Sequence, residues 1–341
     1  MKSWNKRVLI ISLTLIVSLI ASLCFIYINS FAPPNRNRVI VEISRGIGLR
    51  EIASKLEESG VVPSDKIFIL FVVLKGKQNK LQAGEYEFDP GDSMSGVLEK
   101  LVRGDVIVRK ITIPEGLNVN EIADVLESKG VISGKEFIEK ATSASLAKQL
   151  IGKPLSSLEG YLFPETYFYK KGVIAEELIN MMTSRFKIIW DSLKVERDDT
   201  SLTDQEIVTL ASIIEKETGD PSERNMISEV FHNRLKLGMR LESDPTVMYA
   251  LGNDFDGDLT REQMKTTSNY NTYSILGLPP GPITNPGRAS LEAALNPTDF
   301  NYLYFVSKGN GRHEFSTNYR DHLRAVKKYQ DRSGTIEKKP W

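Results

Sequence analysis

The longest hydrophobic stretch of the chain lies at its N-terminus. From Val8 to Ile28 no residue is charged and none is proline. A helix of that length rises about 30 Å, at about 1.5 Å per residue, which matches the hydrocarbon core of a bilayer. The run is also longer than the apolar part of a secretory signal peptide, about 7–15 residues. The sequence therefore predicts a retained transmembrane anchor over 8–28, followed by a stiff, Pro-containing linker over 29–38.

After the linker, the hydrophobic pattern occurs twice, with a shift of about 70 residues. Gly46–Glu57 corresponds to Gly116–Glu127, and an alternating strand pattern precedes each copy. Each copy continues as a helix with apolar residues on one face, a glycine and a second short helix. The pattern predicts a small α/β region over 39–145. Its units resemble the LysM carbohydrate-binding fold, so the region is either a duplicated scaffold or a glycan-binding module.

A third pattern, over 201–222, has the periodicity of a helix. Thr203 and Glu206 have the spacing of a capping box, which marks the start of a helix. Ile207, Leu210, Ala211 and Ile214 then form an apolar stripe along one face of that helix. The helix is expected to end near Gly219–Pro221. The segment therefore predicts one amphipathic helix of about four turns.

Two carboxylates, Glu215 and Glu217, lie in the last turn of this helix. They are about 200° apart around the helix axis, so they cannot share one face. Glu217 is closer to the apolar stripe, where burial disfavours the charged form and raises the pKa towards that of a general acid. Glu217 is therefore the better catalytic candidate. Glu215 is expected on the solvent side, where it supports a loop or pairs with a cation.

Composition refines this picture mainly by exclusion. The 341 residues include 44 basic and 44 acidic ones, so the chain has no basic excess for nucleic acid binding. One Cys excludes an intramolecular disulfide, and three His leave little for a histidine metal site. Asn253–Asp258 suggests a calcium loop, but Lys265 stands where its bidentate Glu is needed, so a turn is predicted. We expect no metal, no cofactor and no nucleic acid partner.

Charge also orients the predicted anchor. Lys2, Lys6 and Arg7 precede it, which favours a cytoplasmic tail over 1–7 and places the rest of the chain outside the cytoplasm. Beyond the repeats the sequence becomes richer in aromatic and polar motifs. A catalytic domain is expected over 146–331, with a polar tail over 332–341. Within it, the aromatic-rich segment Leu158–Tyr167 reads as a packed core corner.

The motifs of the second half resemble known families. Ser212–Thr218 is similar to the helix of lysozyme-like lytic transglycosylases, in which a Glu-Ser pair follows an apolar pair and that Glu is the acid; Glu217-Thr218 occupies this position. Over nearly its whole length the chain resembles the YceG-like endolytic murein transglycosylases. The motifs that carry this resemblance are Leu158–Pro164, Ala211–Thr218, Asn233–Leu235, Asp244–Val247, Tyr270–Tyr273, Gly277–Pro282, Asn285–Gly287 and Tyr302–Val306.

The resemblance implies an α+β fold: a single N-terminal transmembrane helix, the LysM-like region and a lysozyme-like catalytic domain of mixed α+β type. It also implies the reaction. Glu217 would act as general acid and then base in cleaving the β-1,4 bond between N-acetylmuramic acid and N-acetylglucosamine, leaving 1,6-anhydro ends. The implied location is the bacterial cytoplasmic membrane, single-pass. The implied partners are peptidoglycan glycan strands, peptidoglycan synthases, and the elongation and division machinery.

The expected substrate-binding residues combine rings with polar groups. Aromatic faces suit a pyranose ring, amide and hydroxyl groups suit its N-acetyl substituent, and the loop Gly277–Gly287 suits a rigid cleft wall. The full set is Glu215, Asn233, Asp244, Tyr270, Asn271, Tyr273, His313 and Asn318.

Three alternatives stay open at this level. A hydrolytic muramidase would use Asp244 as its second carboxylate. A non-catalytic glycan-binding scaffold would not need the proton of Glu217. A pyridoxal-phosphate lyase is the weakest alternative, because the sequence has no evident phosphate cradle.

Overall fold

The computed structural model describes residues 11–22, 37–194 and 202–330. The first helix, α1, covers 11–22. The rest of the predicted anchor, 8–10 and 23–28, lies outside the described residues, as do the cytoplasmic tail, most of the linker and the polar tail. Within the described ranges, every helix is too short or too polar to cross a bilayer.

The chain folds as two compact units, which we number 1 and 2. Unit 1 contains the described residues up to Arg109 together with Phe168–Gly172, and unit 2 contains Lys110–Tyr167 and the described residues from Val173 onward. The predicted boundary at 145 is therefore wrong. The second copy of the repeat belongs to unit 2, where its second helix packs against a later helix of that unit.

Unit 1 contains the first repeat. It consists of β1 (Val39–Ile43), α2 (Leu49–Glu58), α3 (Asp65–Leu74), β2 (Gly84–Phe88) and α4 (Met94–Arg103). The strands β1 and β2 are antiparallel, with Val41 opposite Tyr86. Helix α2 buries Ile52, Ala53 and Leu56, the three residues that the pattern predicts. These side chains pack with Phe68 and Tyr86 into one hydrophobic core.

The second repeat opens unit 2 and has the same order of elements. Strand β3 (Val108–Thr112) is followed by α5 (Val119–Ser128) and α6 (Gly134–Ala141). Helix α5 buries Val119, Ile122, Ala123 and Leu126, which confirms the predicted face. The glycines after the first helix of each copy, Gly60 and Gly130, both have a left-handed backbone, with φ of 68° and 64°.

The remainder of unit 2 is mainly helical. Strand β3 forms a two-stranded sheet with β4 (Thr166–Lys170), of which Thr166 and Tyr167 belong to unit 2 and the other residues to unit 1. The elements are α7 (Ala144–Ile151), β4 (Thr166–Lys170), α8 (Ala175–Lys194), α9 (Asp204–Glu217), α10 (Arg224–Lys236), α11 (Asp244–Leu251), α12 (Arg288–Leu295), β5 (Tyr304–Ser307), β6 (His313–Ser316) and α13 (Tyr319–Gln330). Strands β5 and β6 form an antiparallel hairpin. The architecture is thus mixed α+β, as expected.

Helix α9 is the centre of unit 2. Thr203 and Glu206 form the predicted capping box at its start, and the helix ends at Glu217. It packs against α10, α11 and α12. Every residue from Ile207 to Ile214 is buried, so the helix is enclosed on all sides rather than amphipathic. A side chain in its last turn therefore emerges among neighbouring elements.

Candidate active site

Glu217 is the last residue of α9, and its side chain is half-buried. The Ser243 hydroxyl donates a hydrogen bond to Glu217 Oε1 at 2.6 Å. The next residue, Thr218, ends the helix: its backbone N–H and its hydroxyl both donate to the Ile214 carbonyl. The carboxyl is thus held at a fixed place by the end of a buried helix and one short hydrogen bond.

The surroundings of Glu217 keep its proton available near neutral pH. Burial raises the pKa of Glu217 to about 7, against the hydrogen bond from Ser243, which lowers it. The negative charge of Asp244 also raises the pKa of Glu217, and the positive charge of Arg234 lowers it. A carboxyl with a pKa near the working pH can both deliver and retrieve a proton, as general acid–base catalysis requires.

Ser243 is itself held by a buried network. Its backbone N–H donates to Thr272 Oγ1 at 3.0 Å, and its carbonyl accepts from the Thr246 hydroxyl at 2.6 Å. The preceding residue, Glu242, has a left-handed backbone with φ of 52°, which costs free energy in a residue with a side chain. This strained turn directs the Ser243 hydroxyl at Glu217. Sequence analysis missed Ser243, because nothing in the chain's pattern links it to a helix 26 residues earlier.

Arg234 braces the same turn from α10. Its guanidinium is buried and donates to the Leu241 carbonyl at 2.8 Å and to the Leu303 carbonyl at 2.9 Å. One nitrogen also lies 3.3 Å from Glu242 Oε2. Arg234 belongs to one of the sequence motifs, but its contacts with the turn that holds Ser243 could be found only from the structure.

Asp244, the first residue of α11, is the second carboxylate of the site. The Tyr273 hydroxyl donates to Asp244 Oδ1 at 2.5 Å. Burial, followed by the charge of Asp244, raises the pKa of Tyr273, so its proton stays on the phenol. Two of the expected residues are therefore brought together next to Glu217.

Glu215 has a different environment from Glu217. Its side chain is 9% exposed rather than on the solvent side. Glu215 Oε2 accepts the Gly287 N–H at 2.9 Å, and Oε1 lies 4.0 Å from an Arg224 nitrogen. Glu215 thus fixes the loop before α12 and faces a cation. These contacts are structural, and a role in substrate binding stays a prediction.

A cavity of about 800 Å³ lies in unit 2 and is lined by chain neighbours of two of these groups, but not by Glu217 or Asp244 themselves. Lys216 and Pro245, the chain neighbours of Glu217 and Asp244, are part of its wall, and Ile283 and Thr284 come from the predicted cleft loop. The remaining lining combines polar residues at the start of α5 with an apolar side, and consists of Asn118, Asn120, Glu121, Asp124, Met248, Tyr249, Gly252 and Phe255. The volume and mixed lining suit one or two sugar rings.

The structure corrects the expectation for Asn271. This residue is fully buried, and its amide nitrogen donates to the Met264 and Thr266 carbonyls at 3.0 and 2.8 Å. An amide with no exposed surface cannot meet an N-acetyl group, so Asn271 organises its loop instead. Tyr270 is only partly buried and lies against Tyr249, with ring centroids 4.9 Å apart. Tyr270 therefore contacts a residue of the cavity wall.

Three other expected residues, Asn233, His313 and Asn318, have protein partners other than Glu217, Ser243 and Asp244. The Asn233 amide donates to the Tyr302 carbonyl at 2.9 Å. His313 Nδ1 lies 2.8 Å from Glu223 Oε2, in a hairpin whose turn approaches Gly219. Asn318 is exposed and caps α13 by accepting the Asp321 N–H at 3.0 Å. Their roles in substrate binding stay predictions.

Glu159, in the aromatic-rich motif, is a buried acid that sequence analysis did not single out. Its carboxylate accepts hydrogen bonds from the Val119 N–H, the Tyr249 hydroxyl and the Asn285 amide. Burial outweighs these contacts and raises the pKa of Glu159 to about 8. Glu159 therefore connects the cavity residue Tyr249 to the loops behind it. No group of three His, Cys, Asp or Glu that could hold a metal ion occurs among the described residues.

Glu159→Gln is expected to flatten the pH dependence of stability. The folded chain keeps this proton up to about pH 8, whereas the unfolded chain releases it near 4.5, the ordinary value. The folded state therefore binds more protons in this window, so the wild-type free energy of unfolding falls as pH rises from about 4.5 to 8. Denaturant unfolding across that range should show a smaller slope for the Gln variant, whatever its absolute stability. An unchanged slope would show that the carboxyl is ionised in the fold.

Ser243→Ala is expected to move the alkaline limit of activity to higher pH. Loss of the hydrogen bond removes a contact that favours the ionised form, so the pKa of Glu217 rises and the acid stays protonated further up the scale. The turnover rate should also fall about tenfold, since the carboxyl loses its fixed orientation. The pH profile of kcat/KM measures both effects. Ser222→Ala, at an exposed serine, is the matched control; a Ser243 profile identical to that control would contradict the assignment.

Comparison with known proteins identifies the family of the chain. The sequence pattern of the YceG-like family matches residues 41–328. A Bacillus subtilis protein named endolytic murein transglycosylase is 34% identical over 324 residues, which is 89% of each chain. A protein of the same name from Streptococcus pneumoniae is 29% identical, over 86% of this chain but 58% of its own longer chain. The crystal structure of a yceG-like protein from Listeria monocytogenes matches with a TM-score of 0.57 and 33% identity, over 85% of this chain and 99% of that one.

The family pattern, matched over most of the chain, and the similarity to the Listeria monocytogenes structure define the class of fold as a mixed α+β fold of the YceG-like kind. Within that class, the chain belongs to the YceG-like family.

Proposed function

We propose that this chain is an endolytic peptidoglycan transglycosylase, which cuts glycan strands internally between N-acetylmuramic acid and N-acetylglucosamine. The observation that carries the proposal is the Glu217 carboxyl, with its pKa raised to about 7 and a hydrogen bond from Ser243, one residue along the chain from the wall of a cavity of sugar size. The names of the relatives from Bacillus subtilis and Streptococcus pneumoniae support the same activity.

In the first step, Glu217 donates its proton to the oxygen of the glycosidic bond. That bond breaks, the N-acetylglucosamine side leaves as an alcohol, and positive charge develops at the muramyl anomeric carbon. The ionised Glu217 is then stabilised by the Ser243 hydroxyl and by the positive charge of Arg234. Asp244 adds negative potential near the developing cation, while its hydrogen bond from Tyr273 fixes its direction.

In the second step, the 6-hydroxyl of the same muramyl residue attacks its own anomeric carbon. A C–O bond forms within the sugar, and Glu217 takes the hydroxyl proton, which restores the starting enzyme. No water is consumed, so a second carboxylate to activate water is not needed. The product end is a 1,6-anhydro sugar.

The cavity wall would hold the sugar rings on either side of the bond. Tyr249 and Tyr270 form a tilted aromatic pair on which an apolar pyranose face can stack. Thr284, Asn118 and Asn120 offer hydroxyl and amide groups for the equatorial substituents. The first copy of the LysM-like repeat would contribute further glycan contacts outside this site.

The endolytic character has a direct test. Purified, uncrosslinked glycan strands digested for short times should give fragments of intermediate length first, because an internal cut does not require a strand end. Size-exclusion chromatography of the early products measures this. Accumulation of disaccharide units from the start, with the long strands otherwise intact, would contradict the endolytic proposal and indicate cutting from the ends.

We also propose the location and partners that the sequence predicts. The uncharged run 8–28 would anchor the chain in the cytoplasmic membrane with residues 1–7 inside, which would bring the catalytic unit near nascent strands and the peptidoglycan synthases of elongation and division. The protein should stay with membranes after alkaline extraction, and a reporter fused after Trp341 should be active outside the cytoplasm. A trimmed, extractable product without residues 1–30 would contradict the anchor.

A further inference from the structure

The helix α3 of unit 1 is apolar on its inner and its outer side. Phe68, Phe71 and Val72 are buried in the core of the unit. On the opposite side Leu70 is 55% exposed, Val73 49% and Leu74 76%. A helix that is hydrophobic all round is normally buried, and an exposed cluster of this kind marks a surface that docks on something.

The second copy of the repeat shows that the fold itself does not require this outer face. Counted from the N-cap residues Ser64 and Ser133, the buried Phe68 corresponds to the buried Phe137. At the outer positions the match is different: Leu70, Val73 and Leu74 correspond to Glu139, Thr142 and Ser143. The second copy of the repeat therefore folds with polar residues at these outer positions. The apolar outer face of α3 needs another explanation.

Four lysines accompany the apolar face. Lys66 lies one turn before Leu70 on the same side of α3, and Lys75, Lys77 and Lys80 follow the end of the helix. The only acidic residue between 65 and 80 is Asp65, and no carboxylate of the described residues lies within ion-pair distance of these four ammonium groups. The lysines thus carry charge that the fold leaves uncompensated. We call Lys66, Leu70, Val73, Leu74, Lys75, Lys77 and Lys80 the α3 face.

We propose that the α3 face docks on the surface of an anionic lipid bilayer. Exposed leucine and valine side chains beside lysines are the combination that holds helices in the interface of membranes with acidic headgroups. The place in the chain fits this partner: the uncharged run 8–28 ends eleven residues before β1, and that length of extended chain reaches at most about 40 Å. The proposal rests on the proposed membrane anchor over 8–28 and not on the catalytic activity.

The test uses the full chain in vesicles of phosphatidylcholine with one third phosphatidylglycerol. In a Cys24→Ser background, an NBD fluorophore is attached at Leu70→Cys or, as the matched control, at its exposed counterpart Glu139→Cys. Lipids brominated along their acyl chains quench a fluorophore that enters the interface. We expect quenching to remove about half or more of the emission at residue 70 and to leave residue 139 almost unquenched.

Two variants separate the lipid from other occupants. Val73→Thr/Leu74→Ser, which installs the residues of the second copy, and Lys75→Glu/Lys77→Glu/Lys80→Glu should each reduce the quenching at residue 70 several-fold. Vesicles without phosphatidylglycerol should reduce it as well. Equal quenching by brominated lipid at residues 70 and 139 would overturn the proposal. Quenching at residue 70 that depends on protein density rather than on brominated lipid would overturn it too, and would indicate a second copy of the chain.

Discussion

Glu217→Gln is expected to lower the rate of glycan cleavage by about 10²- to 10⁴-fold, the range typical of losing a general acid. The amide has the size and shape of the carboxyl and can still accept the hydrogen bond from Ser243, but it has no proton to donate at neutral pH. Binding of intact strands and the thermal unfolding of the protein should change little. Turnover of purified glycan strands, with circular dichroism as the check on folding, measures the effect.

Glu215→Gln is the matched control for that experiment. It makes the same chemical change two residues earlier on α9, at a carboxyl that accepts the Gly287 N–H and faces Arg224. The Gln side chain keeps an oxygen for Gly287, so activity should fall by less than about tenfold. If Glu215→Gln abolishes turnover while Glu217→Gln leaves it intact, the acid has been assigned to the wrong carboxyl.

Asn285→Ala destabilises unit 2 by roughly 4 kcal/mol, the cost of leaving several buried polar groups without partners. Asn285 is buried, and its amide oxygen accepts the Gly160 and Leu162 N–H groups, both at 2.9 Å. Its amide nitrogen donates to the Leu117 carbonyl and to Glu159. One side chain thus joins three loops behind the cavity, and alanine satisfies none of these groups.

Denaturant unfolding followed by the fluorescence of Trp190 measures this loss, because Trp190 is buried on α8 of the same unit. Trp4 and Trp341 are replaced by Phe so that only this residue reports. The control is Asn180→Ala, at an exposed position of α8, which should change the free energy of unfolding by less than about 0.5 kcal/mol. Equal stability of the two variants would show that the Asn285 contacts do not hold the loops.

Local patterns in the sequence predict the elements of this fold well. The repeat gives both pairs of helices and the glycines that end the first of each pair, because those features depend on residues three to six positions apart. The capping box of α9 is predicted for the same reason. The packing assigned to the aromatic-rich motif is confirmed too, since Leu158, Tyr161, Leu162 and Phe163 are all buried.

What depends on distant contacts is not predicted. The burial of α9 on every side comes from α10, α11 and α12, which follow it in the chain, and from loops that precede it, and Glu215 lies against one of those loops, at Gly116. The amide nitrogen of Asn271 donates to two carbonyls of its own loop. The residue type suggests contact with a sugar, but the fold buries the amide. Gly160 shows the same limit: its φ of 86° and its approach to Pro282, which leaves no room for a Cβ, join two motifs more than a hundred residues apart.

The candidate site also combines a feature predicted from local spacing with features that depend on distant contacts. Helical spacing identifies Glu217 as the carboxyl nearest the apolar side of α9. Its neighbours come from elsewhere in the chain: Ser243 lies in a strained turn and Arg234 on α10. The raised pKa that suits Glu217 to acid–base work is a property of that assembled environment. The sequence therefore indicates which residue to test, and the structure indicates what controls it.

The mass of the products made in water enriched in oxygen-18 tests the proposed reaction most directly. Purified glycan strands are digested to completion, and the new ends are weighed by mass spectrometry. Lytic cleavage, in which the muramyl 6-hydroxyl attacks and Glu217 recovers the proton, predicts 1,6-anhydro ends that are lighter by one water and contain no heavy oxygen. Ends that are hydrated and carry oxygen-18 would contradict it and would assign Asp244 the activation of a water molecule instead.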